Sequence, residues 1–300
     1  MGLHTIKILG ISVTTDTKEK ILEEIQKGYI PDGSSSQKNP SKTLKMVTIV
    51  TPNPEIVMEA RGNPVFAGIL NRADVALPDG IGLVLAARIL HLRTKKKSYT
   101  SLSEVIHGVD CMENLVSYAA KQRIPVGLIG GREGVALKAF ECLKKTHPGL
   151  TGWSMELPQM SLSDVQQAYT ASLGLLQSAQ ARVSRAVSSV CTAMQERPVG
   201  MMFVALGAPK QEYFLELLTR EWKQRAQRQG STALSKQLVC MTVGGAFDMI
   251  AGITPRAPAI MRFLYLEWLW RLFLEPTRIG RQWNLVRFMG TVLFQPIYTL

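Results

Sequence analysis

Four short polar clusters in this sequence have the residue types for chemistry, and each sits just past an apolar run. The first is Asp79, in Ala76-Leu77-Pro78-Asp79-Gly80-Ile81-Gly82. A carboxylate there can take part in acid–base chemistry, or it can cap the helix that follows; both readings stay open on these residues alone. The second is Thr51-Pro52-Asn53-Pro54, whose hydroxyl and carboxamide can hydrogen-bond a polar ligand. The third is the glycine turn Gly130-Gly131-Arg132-Glu133-Gly134, where backbone N–H groups can approach a phosphate. Its spacing does not match the dinucleotide fingerprint, so a tight connection with no ligand is the alternative. The fourth is Gly207-Ala208-Pro209-Lys210-Gln211-Glu212, with an ammonium that can meet an anion or simply face water.

The elements that must hold these clusters follow from the pattern of apolar residues. Pro78 fixes its own φ and drives Leu77 extended, so Asp74 to Leu77 reads as a strand and Leu83 to Leu90 as a helix. Met46 to Val50, Pro125 to Gly130, Val199 to Leu206 and Leu238 to Val243 are further buried strands. Ile6 to Val13 reads as one short strand. Helical patterns cover Thr17 to Ile25, Glu55 to Leu70 with a break at Gly62-Asn63-Pro64, Gly108 to Lys121, and Pro158 to Arg197. Pro31 to Lys45 and Gln224 to Lys236 read as loops. Strands alternating with helices imply an α/β fold, a parallel sheet flanked by helices. In such a sheet the four clusters can converge on one edge.

Composition narrows the partners. The 300 residues carry a net charge of +12, which suits a nucleotide, a nucleic acid or a membrane surface. Four cysteines without a CxxC pair suggest neither zinc nor disulfides, and a reducing compartment fits. The histidines (His4, His91, His107, His147) lack metal-ligand spacing and read as ordinary. No signal peptide and no spanning helix is expected. The basic loop Arg93 to Ser103 is either a solvated surface or an anion-facing flap.

After Gly252 the composition changes. Residues 256–300 hold six arginines against two acids, a net +4, mixed with Trp268, Trp270 and Trp283. Glu267, Arg271 and Glu275 form one charged stripe at helical spacing. A buried helix, an oligomer contact and a helix lying in a membrane interface all fit that pattern. The change sets residues 256–300 apart from residues 1–255.

Six blocks in order carry a family resemblance: Thr51-Pro-Asn53-Pro-Glu, Leu77-Pro-Asp79-Gly80-Ile-Gly, Gly207-Ala-Pro-Lys210-Gln211-Glu212, Val243-Gly-Gly-Ala-Phe-Asp248, Arg256-Ala-Pro and Leu266-Glu267-Trp268-Leu-Trp-Arg271. Across about residues 46–280 the chain resembles the WecG/TagA/CpsF glycosyltransferases. The resemblance implies inverting, metal-independent transfer from a UDP-sugar donor, N-acetylmannosamine-type among them, to a polyprenyl-diphosphate-linked acceptor in cell-surface polymer synthesis. It implies a Rossmann-like α/β catalytic domain over 1–255 and a C-terminal helical appendage over 256–300 docking on the membrane surface, with no cofactor and a catalytic base at Asp79. Arg256 and Arg271 would then neutralise the leaving diphosphate, with Lys210 a further candidate, while Thr51, Asn53 and Gln211 would bind sugar hydroxyls. Asp248 reads as a turn or capping residue. A cytoplasmic protein, peripheral at the inner face of the membrane, is expected, with a homo-oligomer as an option and no nucleic-acid binding. One block departs from the family: its Arg-Val-Pro-Gly reads Val105-Ile106-His107-Gly108 here, so an arginine is missing unless Arg93 or Lys95 to Lys97 replaces it. The rivals are a dinucleotide-dependent oxidoreductase using the Gly127 to Gly134 turn, a nucleic-acid-binding module and a catalytically silent scaffold.

Overall fold

The computed structural model describes residues 1–27, 46–171, 178–228, 238–275 and 279–295. Its centre is a six-stranded parallel sheet built from β3 (Met46–Val50), β4 (Val75–Ala76), β5 (Val126–Gly130), β6 (Gly152–Met155), β7 (Met201–Ala205) and β8 (Leu238–Thr242). Their order is β4-β3-β8-β7-β5-β6, with Ile49 opposite Val75, Met46 opposite Leu238, and Val126 opposite both Met201 and Gly152. Every residue of β5, β7 and β8 is buried, as expected for parallel strands covered on both faces. Ahead of the sheet, β1 (Thr5–Ile8) and β2 (Ile11–Thr14) form an antiparallel hairpin.

One face of the sheet packs against α2 (Pro54–Gly62), α3 (Pro64–Arg72), α4 (Ile81–Thr94), α7 (Leu162–Thr170), α8 (Ser178–Glu196) and α9 (Lys210–Arg228). The other face packs against α1 (Lys18–Lys27), α5 (Gly108–Gln122), α6 (Val135–Thr146) and α10 (Ala246–Ile250). The start of α2 is written in the sequence. Pro54 supplies the fixed φ of a first helical residue, and the Asn53 side-chain oxygen accepts from the Ile56 N–H at 2.9 Å. Asn63 repeats the device for α3 through the Phe66 N–H.

The last three helices differ among themselves. In α11 (Ala259–Phe263) and α12 (Glu267–Leu274) large apolar side chains face outward, Phe263 at 82 % exposure. By contrast α13 (Ile279–Phe294) lies on α2 and α4 and buries Phe288 and Val292 completely. Arg93 donates to the carbonyls of Val292 and Gln295 at 2.7 and 2.6 Å, where a cation suits a helix C-terminus. Arg93 is thus a structural clasp, and Lys95 to Lys97 are exposed, so none of them stands in for the missing arginine at the cleft described below. Among the described residues no helix is long and apolar enough to cross a membrane.

Three sequence readings change. The run Ile6 to Val13 is two strands, because Leu9 and Gly10 take positive φ and turn the chain back. The polar stretch from Gln224 begins as helix: α9 runs on to Arg228, since Arg225 pairs with Glu221 one turn back and reaches Ser188 and Thr192 on α8. The edge strand β6 had no β-branched signal, only Trp153 turned inward from Gly-Trp-Ser-Met. The loop from Pro31 to Lys45, residues 172–177 and the stretch 229–237 lie outside the described residues.

Candidate active site

A cleft of about 810 Å³ opens at the carboxyl ends of the sheet. Thr51, Asn53, Asp79, Gly131, Lys210 and Gln211 all line it, so the four polar clusters do converge on one edge. Asp248, Glu55, Glu59 and Glu275 line it as well.

Asp79 is fixed through its backbone. Its N–H donates to the Pro52 carbonyl at 3.0 Å, and Leu77 N–H donates to Val50 at 2.8 Å. The chain then turns into α4 at Gly80, whose φ of +100° is poorly tolerated by residues with a Cβ. Gly80 itself is the N-cap of α4, and no side chain caps that helix. The Asp79 carboxylate is therefore not spent on capping; it stands in the cleft with its side chain 34 % exposed.

Its near neighbour is His107. The Ile106 N–H bonds the Pro78 carbonyl at 2.9 Å, which lays the segment before α5 against the Asp79 turn. His107 Nδ1 is 3.5 Å from Asp79 Oδ1 and 3.3 Å from Glu267 Oε2 at the start of α12. The ion pair with Asp79 leads in raising the imidazole pKa above its ordinary value, outweighing burial, and Glu267 and Asp110 add to it. The reading of His107 as ordinary is thereby corrected. Next along, Gly108 is needed for close approach: a Cβ there would sit 3.0 Å from Thr51 Cγ2 and 3.9 Å from Asp79 Oδ2.

The hydrogen-bonding candidates are partly committed. Asn53 uses its oxygen to cap α2 and keeps its NH₂ group toward the cleft. Gln211 is buried. Its Nε2 donates to Glu212 Oε1 at 2.8 Å, and its oxygen accepts from the Gly244 N–H at 2.9 Å. Complete burial pushes the Glu212 carboxyl up to about 7.

The cations are redistributed relative to expectation. Arg256 does not line the cleft; it pairs with Asp110 and lies 3.6 Å from Glu113, both on α5. Arg271 falls on α12, and its side chain lies outside the described residues. The basic residues lining the cleft among those described are Lys210 and Arg132, and neither is paired with a carboxylate. Burial, and then the charge of Arg132, lower the Lys210 pKa. Lys210 Nζ reaches only the Met160 carbonyl, at 3.4 Å. The N–H groups of Glu133 and Gly134 in the glycine turn are already taken by the Glu156 carboxylate, at 2.9 and 3.2 Å. Among the described residues no group of three or more His, Cys, Asp or Glu side chains is placed to hold a metal ion.

Residues 6–299 match the glycosyl transferase WecG/TagA/CpsF family. The chain belongs to that family. It is also similar to an N-acetylglucosaminyldiphosphoundecaprenol N-acetyl-beta-D-mannosaminyltransferase of Bacillus spizizenii, with 29 % identity over 245 residues, 82 % of this chain and 78 % of that protein. The oxidoreductase and scaffold readings are not favoured: this WecG/TagA/CpsF member is a glycosyltransferase. Sequence reasoning about it missed His107 as the partner of Asp79 and Glu267, and did not single out Arg132, which lines the cleft. The one available signal was Arg132, which follows two glycines at a strand end.

Proposed function

We propose that this glycosyltransferase moves an N-acetylmannosamine-type sugar from a UDP-sugar to a polyprenyl-diphosphate-linked N-acetylglucosamine, with inversion at the anomeric carbon and without a metal ion. The observation that carries the reading is an Asp79 carboxylate free of capping duty in a large polar cleft. An acceptor hydroxyl attacks the anomeric carbon from the face opposite the diphosphate, forming the new C–O bond. The bond to UDP breaks, and UDP leaves with the electron pair. The hydroxyl proton passes to the Asp79 carboxylate. Thr51, the NH₂ group of Asn53 and the Asp248 carboxylate would meet sugar hydroxyls, while Gln211, bonded to Glu212 and Gly244, supports that wall. Lys210 and Arg132 are placed to receive the diphosphate, because unpaired cations on a partly desolvated wall favour an anion between them. Arg271 remains a candidate for the same charge; Arg256 acts by anchoring the appendage to α5.

Residues 1–255 carry the chemistry in this reading, and 256–300 dock on the cytoplasmic face of the membrane. Exposed Ile260, Phe263, Leu264 and Trp283, with cationic Arg287 nearby in sequence, suit a headgroup boundary. The deciding experiment is to supply UDP-N-acetylmannosamine and a short-chain prenyl-diphosphate N-acetylglucosamine in the presence of EDTA. UDP release with a β-linked disaccharide lipid is expected. No transfer with this pair, or a strict divalent requirement, overturns the corresponding part.

A further inference from the structure

His107 holds the only nitrogen that touches both the Asp79 turn and the appendage among the described residues. Its Nδ1 lies within 3.5 Å of one carboxylate oxygen from each side, so those two oxygens are no more than about 7 Å apart. A single N–H cannot satisfy both acceptors well, but a single positive charge can offset both. The ring has little freedom to avoid the arrangement. Its backbone carbonyl starts α5 by accepting from the Cys111 N–H at 3.0 Å, and the residue before it is tied to Pro78. Its side chain is only 18 % exposed, so the charges around it are weakly screened.

We propose that His107 is a positioning residue which, as an imidazolium, ties the Asp79 carboxylate to Glu267 at the start of α12 and so sets the base for attack only when the appendage is docked. The inference rests on the reading of Asp79 as the base. The charged groups facing the ring are Asp79 from the β4–α4 turn, Glu267 from α12, Asp110 on its own helix, and Arg256, which is paired with Asp110. Three carboxylates against one guanidinium favour the protonated ring. Because the folded-state pKa is raised, the tie is complete at and below the ordinary histidine value and is lost as pH rises through the raised one. Above it, two carboxylates confront one another across a neutral ring, and both Asp79 and α12 lose their common partner.

Two measurements on the full chain test this. The first follows the His107 Cε1–H resonance with pH, assigned by its loss in His107→Gln. The wild-type midpoint is expected above the ordinary value, and Glu267→Gln and Asp79→Asn should each move it down. A midpoint that Glu267→Gln leaves in place overturns the tie. The second is the pH profile of UDP release. Wild type should lose activity as pH rises through the His107 midpoint. His107→Gln should be slower by about tenfold and flat over that window, with KM for the donor little changed. His107→Lys should keep activity on the alkaline side, where a merely structural role would not be rescued. A wild-type alkaline limb in His107→Gln or in His107→Lys overturns the inference. Were Asp79→Asn inactive while those profiles stayed wild-type, this inference alone would fall; wild-type turnover in Asp79→Asn removes the base assignment and the proposal together.

Discussion

The two ends of the cleft are built on opposite charge logic. At the β3 and β4 end, Asp79 sits beside His107 with Glu267 behind it; at the β5 and β7 end, Arg132 and Lys210 stand without acidic partners. Strand β8 lies between β3 and β7, so these ends are separated by roughly 10 to 19 Å at the usual strand spacing. In the proposed mechanism this separation keeps the proton acceptor from being neutralised by the groups that would hold phosphate. The lesson of that proposal is that one sheet edge can serve two tasks by placing them at different strands, with the sugar to be transferred lying between.

The largest expected effect breaks the acidic end. Asp79→Asn should lower the rate of UDP release by about 10²- to 10⁴-fold, while donor binding measured by calorimetry stays near wild type. A variant with normal turnover would leave that end without a chemical role. At the other end, Arg132→Ala and Lys210→Ala together should raise the KM for the donor about 10- to 100-fold, and UDP should suffer far more than uridine. Equal losses for UDP and uridine would move the diphosphate elsewhere, with Arg271 next to be examined. Away from both ends, Phe263→Ser with Trp283→Ser should weaken binding to anionic vesicles about tenfold and leave turnover on a soluble acceptor intact.

The smallest effect concerns the seam. Glu212 sits under Gln211 with a carboxyl pushed up to about 7 by burial. Because the unfolded chain releases this proton first, native stability falls as pH rises from about 4.5 to about 7. Glu212→Gln removes that dependence, so its stability relative to wild type should improve by about 1 to 2 kcal/mol between pH 5 and pH 8 in urea unfolding. An unchanged difference would mean that the carboxyl is ionised in the folded protein.

Much of this was legible in one dimension. The strand ends were, since β-branched and apolar runs such as Met-Val-Thr-Ile-Val close at Pro, Gly or Asn and carry their own punctuation. Asp79 was legible as a candidate base through the family resemblance, and ruling out the cap needed the sight of α4 starting at Gly80 with no side-chain cap. His107 was not, because both carboxylates it meets come from other segments, one of them in the appendage. Arg256 shows the converse: its charge is plain in the sequence, but its choice of Asp110 over a diphosphate depends on where α5 lies. The appendage divided in the same way. The sequence pattern allowed a buried helix or an interfacial one, and the fold buries Phe288 in α13 while leaving Phe263 in α11 outside.

The glycine turn after β5 has a last consequence. Its helix-side N–H groups, where folds of this shape often seat a nucleotide's phosphate, are plugged by the chain's own Glu156. A built-in mimic of the anion holds the loop in shape from behind, which leaves Arg132 as the part of that turn still on offer to a guest. If Arg132 receives the diphosphate as proposed, nucleotide capture passes from main chain to side chain, and with it the power to retune donor preference by single substitutions without disturbing the sheet.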